Sequence, residues 1–152
     1  MQKILLVVLH EQQRDDADCL AACALMCLRY LGKDVTYERV KQLLQTRWFG
    51  TPANNVTKLS QLGVRVELKE LTASDVHKKL QMGLPVIAFV STSDLPYWVT
   101  DTNHAIVVVG MDDGVVYVND PAFNDAPQAI SRVSFDLATL KFDGKCAVLS
   151  VR

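Results

Sequence analysis

Three runs in the second half of the chain, PVIAFV at 85–90, HAIVVVGM at 104–111 and VVYVND at 115–120, are rich in β-branched and other apolar residues. Such side chains suit a pleated, packed surface better than a helix, where they lose rotamer freedom. Asp112-Asp113-Gly114 separates the last two runs, and Asp-Gly between apolar segments marks a hairpin turn. That account of the two acids is simpler than a calcium loop. With an alternating run VRVELKEL at 64–71 and a closing run CAVLSV at 146–151, these segments predict an antiparallel sheet.

The first half reads differently. Asp18 stands where an N-cap is expected, and Cys19 to Tyr30 is a stretch of Leu, Ala, Met and Cys ending before Gly32. This predicts a first helix that is almost wholly buried. A second helix is expected from Thr36 to Gln45, with Val40, Leu43 and Leu44 on one face. Thr51, Pro52 and Gly63 frame a third, short helix with proline at its start and glycine past its end. Thr72 and Asp75 occupy capping-box positions for a fourth helix that Gly83 ends, and a short helix is expected near Ser134 to Leu140. MQKILLVVLH at the start resembles a secretion signal only briefly, since its apolar run is short and no small-residue cleavage site follows; it reads as a strand. Helices first and strands second define an α+β class, an N-terminal helical layer packed on a C-terminal antiparallel sheet, with residues 1–152 as a single domain.

Composition narrows function. Apolar residues make up 49% of the chain, enough to build a core without disulfide or metal staples. The formal net charge is -1 and the basic residues are scattered singly or in pairs, which argues against nucleic-acid partners. No segment approaches the length of a membrane span, and the four cysteines lack the spacing of a secreted disulfide framework, so no membrane insertion and a cytoplasmic location are expected. Oligomeric state is not legible.

Cys19, Cys23 and Cys27 recur every fourth residue, but they differ in setting. Cys19 sits at the helix N-terminus, where unpaired N–H groups and a partial positive charge favour a thiolate. Cys23 and Cys27 lie among Ala, Leu and Met and read as core, as does Cys146 in the closing strand. Thiols spaced by four along a helix splay apart, so neither a metal site nor a disulfide is expected of them.

A nucleophilic cysteine needs a histidine to take its proton, and the histidine needs an acceptor to orient it. His104 opens one strand of the predicted hairpin and Asp120 closes the other, so the two side chains can meet. Gln13, six residues before Cys19 in the loop leading to the helix, can fold back to offer an amide to an oxyanion. His77, beside Lys78 and Lys79, reads as solvent-exposed; His10 is near enough to Gln13 to line the same cleft and is a minor alternative base. Asp15, Asp16 and Asp18 oppose a thiolate nearby, so the thiol must form an ion pair with a protonated His104. Asn103 and Asn119 flank the two partners of the cysteine and can support them. The loop STSDLPYWVTDTN before His104 carries Tyr97 and Trp98, which are expected to form a wall of the substrate cleft.

QRDDADC with its following helix, and HAIVVVGMDDGVVYVNDPAF, resemble the bacteriocin-processing cysteine peptidases, papain-like proteins that cut peptide leaders after a double glycine. In that family a glutamine lies six residues before the cysteine, and the histidine precedes the aspartate of an Asp-Pro step by one short hairpin. Gln13, Cys19, His104 and Asp120-Pro121 occupy those positions. The resemblance implies a papain-like fold and a peptidase acting on a peptide or protein substrate with no cofactor. Leu20 departs from the family's glycine after the cysteine and is expected to add bulk at the mouth of the site. Transporter-fused relatives supply the substrate through a part not present in this sequence, so double-glycine specificity carries over weakly. Acyl transfer to an amine, and a non-catalytic peptide-binding domain, are the alternative readings.

Overall fold

The computed structural model describes all residues from Met1 to Arg152. A short strand β1 (Ile4–Leu5) leads into an extended arm and a single 3-10 turn (Asp16–Asp18), which runs directly into helix α1 (Cys19–Tyr30). Helix α2 (Tyr37–Leu44), a 3-10 segment (Ala53–Leu62), strand β2 (Val64–Glu70) and helix α3 (Ala73–Gln81) complete the first half. Then follow β3 (Val86–Ser91), a 3-10 turn (Thr92–Asp94), β4 (Asn103–Met111), β5 (Val115–Asn119), β6 (Gln128–Ser131), α4 (Arg132–Leu140) and β7 (Lys145–Val151).

The strands form one antiparallel sheet in the order β2-β7-β3-β4-β5-β6, with β1 paired to β4. Period-two alternation divides the central strands between two cores. Ile87, Phe89, Ala105, Val107 and Val109 face α1, α2 and the 3-10 segment. Val86, Ala88, Val90, Ile106 and Val108 face the opposite side, with Val76 and Leu80 of α3 and Phe135 and Ala138 of α4. The expected N-terminal helical layer is present, and a second layer of helices covers the other face. That is why β3 and β4 read as continuous apolar runs rather than alternating ones.

Local signals account for much of this. Helix α1 spans the expected residues and is buried from Leu20 to Leu28, as a helix apolar on every side must be. The Thr72–Asp75 capping box is formed in both directions, and Thr36 caps α2 by accepting from the N–H of Arg39. Between Thr51 and Gly63 the chain is a 3-10 segment rather than an α-helix. Thr51 bonds Thr46 instead of capping it, and Pro52 stands just outside. The N-terminal run pairs as a strand only at Ile4 and Leu5; beyond them Leu6 N–H donates to Val109 O at 2.8 Å. Gly110 permits this approach, because a Cβ there would lie 2.6 Å from the backbone oxygen of Ile4. Strand β6 carried no expectation from the sequence. No helix is long and apolar enough to cross a membrane.

Candidate active site

The β4–β5 register sets Val107 opposite Asn119. Continued past the end of β5, it puts Asp120 on the same face as His104 and two positions along, a diagonal that side chains can span. His104 Nε2 lies 2.7 Å from Asp120 Oδ1, both groups being buried. Asp120 is fully enclosed and every donor it needs is supplied. Oδ1 also accepts from the Ala122 N–H at 2.9 Å, while Oδ2 accepts from the Tyr97 hydroxyl and the Trp98 indole N–H, each at 2.8 Å. Burial alone would raise the Asp120 pKa, but the bonds from His104, Trp98 and Ala122 outweigh it and hold the carboxyl below its ordinary range.

With Nε2 bound to Asp120, the other ring nitrogen, Nδ1, takes no part in that bond, and His104 lines one hollow together with Cys19. Burial works against an imidazolium here, yet the bonds to Asp120 and Cys19 and their charges prevail and raise the His104 pKa from 6.5 to about 9. A charged imidazole at neutral pH is the partner that a thiolate needs. The other cysteines are different: burial pushes the Cys27 and Cys146 thiols up to about 12 and the Cys23 thiol well above its ordinary value. They are core, as expected.

Cys19 is the first residue of α1 and is partly exposed. Asp18 does not cap this helix. The 3-10 turn feeds α1 without a break, and Asp15 accepts the Ala17 N–H at 3.4 Å instead. Asp18 is turned inward, where Oδ2 accepts from the Tyr37 hydroxyl at 2.7 Å and Oδ1 pairs with Lys41 Nζ at 3.1 Å. The acid next to Cys19 in the chain is thus paired with a cation. Of the three acids before Cys19, Asp16 alone borders the cleft.

Two hollows meet at His104. The larger, of about 480 Å³, runs past Cys19 and is walled by Leu20, Phe49, Phe89 and Phe142. The smaller, of about 280 Å³, holds Gln13 and Trp98, and Asp16, Thr102 and Asn103 border both. Gln13 is fixed through its main chain, donating to Pro121 O at 2.8 Å, while its side-chain oxygen is buried without a partner. The N–H donors at the other end of that amide are the groups able to meet an oxyanion. Asn103 lies at the rim and accepts from Lys141 Nζ at 2.8 Å. Leu20 is only 2% exposed, so it forms the floor of the cleft rather than obstructing its mouth.

Several residues sit elsewhere than expected. Tyr97 borders neither hollow, and the polar tips of Tyr97 and Trp98 are turned to Asp120; only Trp98 also walls the cleft. His77 is buried and bonds Gln2 O at 2.7 Å, because α3 packs Val76, His77 and Leu80 together on one face. His10 reaches the backbone oxygen of Asp120 at 2.8 Å, so it meets the site from behind the carboxylate and not as a rival base. Asn119 donates to Val8 O at 3.0 Å, tying the N-terminal arm to β5.

Known proteins resemble this chain in sequence and fold. The chain is 28% identical over 123 residues to the lactococcin-G-processing and transport ATP-binding protein LagD of Lactococcus lactis subsp. lactis, a match that covers 80% of this chain but 16% of that protein. A Bacillus anthracis structure described as a C39-like peptidase superposes with a TM-score of 0.84 at 17% identity, covering 100% of this chain and 99% of the other. A double-glycine-motif protease of an AMS/PCAT transporter, solved with its leader peptide, gives 0.75 at 22% identity with the same coverage. The peptidase domain of Streptococcus ComA gives 0.76 at 19% identity, covering 98% of each chain. These likenesses establish a papain-like α+β fold. The model of the Peptidase_C39 like family matches residues 5–141, and with that match the chain belongs to this family of peptidases.

Proposed function

We propose that residues 1–152 form one cysteine peptidase domain in which Cys19, His104 and Asp120 act as a triad and Gln13 serves the oxyanion. The observation that carries this reading is an imidazole bound at Nε2 by a buried carboxylate and lining one hollow with Cys19 at the start of α1. In the reaction, Cys19 Sγ attacks the scissile carbonyl carbon and a C–S bond forms. Charge moves to the carbonyl oxygen, where the Gln13 amide and the Cys19 N–H receive it. The tetrahedral intermediate collapses as His104 gives its proton to the departing amine, leaving an acyl-enzyme. Water then attacks the thioester, His104 takes its proton, and the thiolate is restored. Asp120 keeps the imidazole in one orientation throughout and stays ionised. No step calls on a cofactor.

The substrate we propose is a peptide, in particular a leader segment of a small secreted peptide. The name of the lactococcal relative couples processing with transport, and the AMS/PCAT protease was solved holding its leader. Apolar walls at Leu20, Phe49, Phe89 and Phe142 suit a peptide's side chains, and Asp16 with Lys145 at the rim can meet its polar groups. Incubation with a diverse peptide library, read by mass spectrometry for wild type and Cys19→Ala, tests the reading. Cleavage by wild type alone is expected. Equal cleavage by both proteins, or an ordinary thiol at Cys19 together with no cleavage, would overturn it.

A further inference from the structure

We propose that Tyr97 and Trp98 are positioning residues, whose O–H and N–H groups hold one oxygen of the Asp120 carboxylate and so aim the other at His104. The inference rests on the peptidase reading and extends it to two residues that the sequence places on a cleft wall.

A carboxylate on a single methylene can turn about two bonds, and either oxygen can then face the imidazole. Here the division is fixed. Both donors to Oδ2 come from consecutive residues, at 2.8 Å each, and Oδ1 keeps His104 at 2.7 Å and Ala122 N–H at 2.9 Å. The loop that carries the donors is itself clasped at its base. Thr92 Oγ1 donates to Thr100 O at 2.7 Å and accepts from the Thr102 N–H at 2.9 Å, and the Thr92 N–H donates to Thr102 O at 3.0 Å. Phe123 packs edge-on against both rings at 5.2 Å, and the Trp98 ring lies 4.8 Å from that of His104.

The chemistry of the donors matters as much as their number. A lysine or arginine at either place would neutralise Asp120 and remove the field that holds an imidazolium. A phenol and an indole satisfy the buried oxygen and leave its charge intact. Burial and the Asp120 charge both oppose ionisation of Tyr97, so it remains a donor.

The groups that face this pair are few. His104 comes from β4, the Cys19 and Cys23 thiols from α1, Tyr97 from the loop, and His10 from the N-terminal arm through the main-chain oxygen of Asp120. Asp16 and Lys145 border the cleft at the thiol side. Removing one neutral donor leaves the carboxylate less stabilised and easier to protonate. The imidazolium is then less well held, its proton passes back to the thiol more readily, and less of the thiolate–imidazolium pair is present.

The test is the rate of Cys19 alkylation by iodoacetamide against pH, located by mass spectrometry, on the full chain. Wild type, His104→Ala, Tyr97→Phe, Trp98→Phe and Asp120→Asn are compared, with Tyr97→Phe repeated in the Asp120→Asn background. Phenylalanine keeps a ring and removes the donor. Tyr97→Phe and Trp98→Phe are each expected to weaken the imidazolium's hold on its proton by about half to one pH unit, so that Cys19 reactivity at pH 6 falls by roughly 3- to 10-fold. In Asp120→Asn the Tyr97→Phe substitution should add nothing, because its effect passes through the carboxylate. If Trp98→Phe does not fold, Tyr97→Phe decides alone. Profiles that superimpose on wild type, or an undiminished Tyr97→Phe effect without Asp120, would overturn the inference while the peptidase reading stands. Should wild-type Cys19 lack any His104-dependent reactivity below the ordinary thiol pKa of about 8.5, the peptidase reading itself fails and takes the inference with it.

Discussion

On the Asp120 side of His104, four donors converge on one fully enclosed carboxylate, and no polar atom there lacks a partner. On the cleft side, the Gln13 oxygen is buried and idle, Asp16 is exposed, and Cys19 is only partly covered. Both sides are within reach of one imidazole, so the contrast does not come from distance. The enclosed side sets where the proton sits, and every hydrogen bond there is made before substrate arrives. The unpaired acceptor on the open side can be met only by a donor that comes from outside, such as a substrate N–H, and leaving it unmet carries a standing cost.

The contrast is broken most severely at Cys19. Cys19→Ala should lower turnover by at least ~10⁴-fold and shift the melting temperature little, because a partly exposed thiol has few packing contacts to lose; parallel peptide-cleavage and thermal-melt assays check this. Asp120→Asn strikes the enclosed side. It should cost about 10⁴-fold in kcat by leaving the imidazole wrongly protonated, and unlike Cys19→Ala it should also destabilise the fold.

On the open side, Gln13→Ala should lower kcat by about 10²-fold with KM nearly unchanged, as expected of an amide engaged only when charge develops on the carbonyl oxygen. An equal rise in KM with kcat intact would make Gln13 a ground-state binder instead.

The pH dependence follows from the signs. His104 is raised, so its contribution to stability is complete below pH 6.5 and is lost as pH climbs through about 9. Asp120 is lowered, so its contribution is present above the usual carboxylate range and is lost as pH falls through its depressed value. Activity should therefore fall on an alkaline limb near pH 9, and in His104→Ala the Cys19 thiol should gain reactivity toward iodoacetamide only near the ordinary thiol pKa of about 8.5. The smallest effect is expected of Lys41→Ala. It releases the Asp18 charge beside α1 and should move the acid limb of Cys19 reactivity up by a few tenths of a pH unit.

How much of this was legible depends on how local the cause is. The bounds of α1, the Thr72–Asp75 box and the β4–β5 hairpin depend on neighbours a few residues apart, and the structure has them as expected. Lys78 and Lys79 suggest an exposed His77, but it is buried; consecutive residues on a helix point about 100° apart and say little about each other's surroundings. Asp18 carries the signature of a cap, but its partners Tyr37 and Lys41 arrive from α2, which no capping rule contains. Tyr97 and Trp98 were legible as aromatic residues in a long loop near His104. Their turn toward Asp120 was not, because it requires a loop clasped at Thr92 and a β5 end placed by the sheet. The second helical layer was latent in the unbroken apolar runs of β3 and β4, where strict alternation would have meant one wet face.

The alanines of α1 take on a further meaning once the site is seen to straddle two layers. His104 lies on β4 and Asp120 just past the end of β5, while Cys19 rides on a helix that shares one core with that sheet, in which Ala21, Ala22 and Ala24 are all without solvent exposure. The gap between nucleophile and base is thus a spacing between layers, and a methyl group deep in the core acts as its shim. A bulkier side chain at one of these positions would leave the carboxylate and imidazole in register yet carry the sulfur away from them.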